Sequence, residues 1–176
     1  MANRTQLGCL TVILVLAAGI GASIGIRSFQ LAPFREISES LGTIVSVPSE
    51  FIGQNEGYTA GKILTINING KTPVPDSTFF LLPENMRAGA KDKEAISTIV
   101  LMQRGTMSVG AYSNGGEALK RWVKIYIVDV KEKTITGAKE FFGGDPPKTI
   151  SSGGSGTGDE VSAKEIALYI AGLPRH

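Results

Sequence analysis

The chain has 176 residues, a hydrophobic fraction of 42%, a charged fraction of 19% and a net charge of +2. These values belong to a folded protein, and the 18 basic residues are scattered among 16 acidic ones, so no positive block exists to hold nucleic acid. One cysteine (Cys9) excludes an internal disulfide, and one histidine (His176) leaves no Cys/His metal set and no Ser-His-Asp triad, so no cofactor or metal is expected.

Residues 1–27 carry the first element. From Thr5 to Ile26 there is no charge, a run of 22 residues. As a helix it measures about 33 Å, enough to span a bilayer core. The run is longer than the apolar region of a usual signal peptide, which favours a retained single-pass anchor. Small residues at Ala17-Ala18-Gly19 and Gly21-Ala22-Ser23 keep cleavage open. Cys9 opens the apolar run, whereas a lipobox cysteine follows it. A short amino-terminal tail before a large carboxy-terminal domain has the shape of a signal anchor, which puts the domain outside the cytoplasm. Ala17, Gly21 and Gly25 form a small-residue face through which two such helices can approach, making the chain a candidate homo-oligomer.

Residues 28–60 read as a juxtamembrane helix and loop. Pro33 suits a first helical turn, and Phe34, Ile37, Leu41 and Ile44 recur at helical spacing. Such a stripe lies on headgroups or packs on the protein's own domain. Pro48 ends it, and Gly53, Gly57 and Gly61 punctuate a loop.

Residues 61–176 read as a soluble α+β domain. In "KILTINI", Leu64, Ile66 and Ile68 alternate with Thr65 and Asn67, and Asn69-Gly70 signals a turn. "STFFLL" reads as a short buried strand closed by Pro83. "AISTIVLMQ", apolar on both faces, reads as a central strand. Arg104-Gly105 is then expected to turn the chain into "TMSVGAY", with Met107, Val109 and Ala111 facing inward. "RWVKIYIVDVKEKTITGAKEFF" is a hairpin. Val123, Ile125 and Ile127 alternate with Trp122, Lys124 and Tyr126, the chain reverses near Lys131-Glu132, and Ile135 and Phe141 are expected on one face of the return strand. Ser162 and Glu165 form a capping box, Val161 and Ile166 a staple, and Ile166, Ile170 and Leu173 an apolar stripe. The expected fold is therefore an amino-terminal transmembrane helix followed by a small antiparallel sheet covered by a carboxy-terminal helix.

"FFGGDPPKTISSGGSGTGDE" (141–160) is the stretch most like a functional loop. It lacks the Gly-Lys-Ser/Thr of a phosphate loop, and Asp159 and Glu160 would repel phosphate. Those two carboxylates sit well at the positive end of the last helix. "SSGGSGTG" is expected to be a flexible spacer. Phe141, Phe142, Gly143, Gly144, Asp145, Pro146 and Pro147 form a candidate partner-binding loop, stiffened by its prolines; the plainer alternative is a strand end with one phenylalanine in the core.

Three functions follow. The first is a binding module engaging a protein partner in the cell envelope, reached by elimination. The second is a carboxylate-dependent hydrolase drawing on Asp129, Glu132, Glu140 and Asp145. The third is a structural subunit. The layout of an apolar helix before an antiparallel sheet resembles that of a type IV pilin subunit, with Gly8 at the cleavage point. That pattern asks for glutamate at the fifth mature position, where this chain has Ile13.

Overall fold

The computed structural model describes residues 32–35, 57–89, 93–150 and 154–176. The expected membrane segment at residues 5–26, with its Ala17, Gly21 and Gly25 face, lies outside the described residues, as do Ile37, Leu41 and Ile44. Among the described residues no helix is long and apolar enough to cross a membrane.

The fold is α+β. The strands are β1 (Lys62–Asn67), β2 (Val74–Pro75), β3 (Ile96–Ala111), β4 (Glu117–Asp129), β5 (Thr134–Phe142) and β6 (Gly156–Thr157), and a helix near the carboxy terminus is α1 (Ala163–Ala171). They form a sheet in the order β2-β1-β3-β4-β5, with β6 on β4. The sheet is mixed, which corrects the expected antiparallel one. β1 runs parallel to β3, and β6 runs parallel to β4. The apolar alternation of β1 is satisfied by either direction, so only the chain's return path decides. That path passes through a 3₁₀ turn at Ser77–Leu81, where a strand was expected. Asp76 caps the turn by accepting from the Thr78 N–H at 2.8 Å.

Both faces of the sheet are covered. On one face Val100, Met102, Val123, Ile125, Ile127 and Phe141 pack under Ile166, Ile170 and Leu173 of the helical segment. Ile166 and Ile170 are fully buried, and each contributes about 1.5–3 kcal/mol of burial. Ser162 caps α1 by accepting from the Glu165 N–H, as its sequence requires. On the other face Leu64, Ile66, Ile99, Leu101, Tyr126 and Val128 pack with Phe34 and Phe79. Phe34 meets Phe79 at 5.6 Å between ring centres, so this member of the apolar stripe read at Phe34, Ile37, Leu41 and Ile44 packs on the domain.

The β4–β5 hairpin forms as expected, with Lys133 in the left-handed region at its turn. Ile135 and Phe141, however, lie in opposite faces' cores. A bulge between Ile127 and Val128 shifts the register by one residue and swaps the faces.

Strand β3 does not turn at Arg104-Gly105. It runs for 16 residues in all, to Ala111, and pairs with β4 along its length. At about 3.3 Å per residue, Gly105–Ala111 projects roughly 20 Å beyond Arg104 as the outer strand of an arm built on Glu117–Trp122 of β4. Met107 and Val109, expected inward, are exposed there because no layer of the described residues covers them.

The glycine-rich segment supports this arm and is not slack where it is described. Gly156 and Thr157 pair with Ala118 and Leu119, and the Gly158 N–H donates to the Leu119 carbonyl at 2.9 Å. A β-carbon added at Gly158 would overlap the carbonyl oxygen of Gly144. Glycine here permits backbone to lie on backbone.

Candidate functional site

Three places gather polar or exposed apolar side chains. The first is the arm. Cross-strand partners share a face, so Gly105, Trp122 and Phe142 form one row and Met107 and Lys120 the next. The indole of Trp122 lies against the Gly105 backbone, in space that a β-carbon would take. Trp122 is half-buried as a result. Phe142, Met107 and Val109 are exposed at 49%, 44% and 48%. The arm is braced on its β4 side. The Gly143 N–H donates to the Arg121 carbonyl, the Tyr112 hydroxyl to the Pro147 carbonyl at 2.6 Å, and Lys120 pairs with Asp145 at 2.6 Å. The Lys120 ammonium holds the Asp145 carboxyl below its usual range.

The second place is a cleft of about 290 Å³ at the root of the arm, lined by Arg104, Thr106, Arg121, Val123, Glu160 and Val161 among others. Both guanidiniums are neutralised. Arg104 meets the buried Asp76 at 3.0 Å, and Arg121 meets the exposed Glu160 at 2.7 Å. The Arg121 Nε is buried without a hydrogen-bond partner. Arginine stays protonated, so the two guanidiniums can bind a carboxylate, as Arg121 binds Glu160, but are themselves neither acid nor base.

The third place is at the opposite end of the sheet, where Gly57, Tyr58, Thr59, Thr136 and His176 line a cleft of about 380 Å³. His176 is fixed. Its N–H donates to the Tyr58 carbonyl at 3.0 Å and its carbonyl accepts from Ala60 at 2.8 Å. The hydroxyls are engaged structurally: Thr59 donates to Asp129, and Thr136 to the carbonyls of Gly57 and Ile127. Asp129 also accepts from the Glu132 N–H at 2.7 Å. That backbone bond first, and the Thr59 hydroxyl second, hold its carboxyl below the usual range.

The sequence-derived candidates divide as follows. In the loop Phe141–Pro147, Phe141 is buried against Tyr169, with ring centres 5.4 Å apart, and Phe142 is exposed. Gly143, Gly144, Asp145, Pro146 and Pro147 run on beside the arm. Of the four candidate hydrolytic carboxylates, Asp129 and Glu132 are neighbours at the hairpin turn, but Asp129 and Glu140 are not brought together. Asp129 pairs with Thr134, whereas Glu140 pairs with Lys124 on the other face. Five residues along β4 separate them by roughly 16 Å, beyond the span of about 10 Å that flanks one glycosidic bond. Sequence reasoning missed the Gly105–Trp122 contact and the arginine cleft. The uncharged run from Gly105 to Gly116 and the lone tryptophan were the available signals.

Compared with protein families, curated proteins and solved structures, the chain matches none.

Proposed function

We propose that this chain is a single-pass membrane-anchored interaction module, held by residues 5–26, whose α+β domain lies outside the cytoplasm and engages a protein partner with its arm. The observation that carries the reading is the row of Trp122 and Phe142 beside exposed Met107 and Val109. Aromatic residues and methionine are enriched where proteins meet, and a cluster of them on a projecting element costs solubility unless it is used. The arginine cleft at the root of the arm, with Arg104 and Arg121 on the opposite face, supplies a counterpart for a partner carboxylate, with Glu160 as the group displaced.

The test is crosslinked capture from detergent-solubilised membranes, with the full chain and its Trp122→Ala/Phe142→Ala variant compared on the same recovered partner. The variant is expected to lose about tenfold or more of the recovery, as buried aromatic contacts do. Equal recovery by both proteins would remove the arm from the contact.

A further inference from the structure

The two edges of the arm are unlike. On its β4 side it is braced by β5, β6 and the Gly143–Pro147 loop. On its β3 side, β1 pairs only as far as Asn67 opposite Met102. The side-chain amide of Asn69 then acts as one more strand residue, accepting from the Arg104 N–H and donating to the Arg104 carbonyl. Past that point Gly105–Ser108 has no backbone partner on this side among the described residues. Peptide groups alternate in direction along an antiparallel strand, so those of Thr106 and Ser108 point outward as Arg104's do.

Natural edge strands are blunted by lysine, proline or a cover. This one has neither charge nor proline from Gly105 to Gly116. Its only interruption is a bulge between Ser108 and Gly110.

We propose that two copies of this chain join through the free edge of β3, antiparallel and centred on Met107, so that the sheet continues across a two-fold axis. In that register Thr106 of one copy opposes Ser108 of the other, and both present outward peptide groups, giving about four backbone hydrogen bonds. The two Met107 residues fall in a non-hydrogen-bonded pair with their Cα atoms about 4.5 Å apart, and their exposed side chains cover one another. No like charges meet, because Arg104 falls opposite a glycine, Gly110. The edge is thus complementary to itself in hydrogen bonding, charge and apolar surface. The Trp122–Phe142 row stays outside the joint and is presented twice.

The test uses the full chain in detergent with Cys9→Ser, so that an added thiol is the only one. A Cα separation of about 4.5 Å lies within disulfide reach. Met107→Cys is therefore expected to give a disulfide-linked dimer under mild oxidation, and the parent chain a dimer by sedimentation. Thr106→Pro removes one outward N–H from each copy, and Met107→Lys sets two like charges at the axis. Each is expected to raise the dimer dissociation constant by about tenfold or more. Should Thr106→Pro fail to fold, Met107→Lys carries the test. A chain that is monomeric at all concentrations overturns the proposal. So does a dimer that neither variant weakens, which would place association elsewhere, such as the Ala17, Gly21 and Gly25 face. The inference goes beyond the partner reading and fails separately from it, since capture is read on Trp122 and Phe142.

Discussion

Asp129 shows how one residue closes the base of the domain. Its carboxylate joins Thr59, on the segment leading into β1, to the turn after β4. Both bonds favour the charged form, so its folded pKa lies below the ordinary 3.8. A group lowered on folding adds stability above its unfolded pKa and loses it as pH falls through the folded value. Asp129→Asn is therefore expected to be about 1–2 kcal/mol less stable at neutral pH, and the gap to the parent should close below pH 3.8. Urea titrations at pH 7 and pH 3 read both; a gap that persists unchanged at pH 3 would sink the assignment. Little of this was legible in advance. Asp129 was visible as a hairpin carboxylate, but its partner Thr59 lies 70 residues away. His176 is fixed by backbone bonds that its identity does not encode.

At the scale of elements, legibility followed the range of the signal. The β4–β5 hairpin and α1 were readable because alternation, turn chemistry and a capping box are local. The parallel pairing of β1 with β3 was not, since pairing direction leaves no mark on either strand. The arm was misread for a related reason. Alternation at Met107, Val109 and Ala111 marks a face, not whether anything covers it. The glycine run was misread because composition cannot separate slack chain from backbone that must lie close to backbone. That difference is testable. Gly158→Val should push the segment off β4, at a cost of about 1–3 kcal/mol, and should speed amide exchange at Leu119 and Gly158. An unchanged melting temperature would mean that the segment is as free as its composition implied.

For the whole molecule, the Tyr58–Ala60 segment and the 174–176 tail meet at one end of the sheet, and the arm points away from the other. Tyr58 donates to the Pro174 carbonyl, and Tyr58 and Arg175 form a parallel bridge. Removing residues 174–176 is expected to cost about 2 kcal/mol, or roughly 5–10 °C in Tm by calorimetry; no shift would show that the tail only rests there. Residues 57–60 and the arm are thereby held at opposite ends of the sheet. The chain has a single tryptophan, and it sits on the arm over Gly105. Its intrinsic fluorescence is therefore a native optical reporter of that one place. Docking at the arm will shift the emission without any label, while loosening of the distant base will leave it dark to the spectrometer.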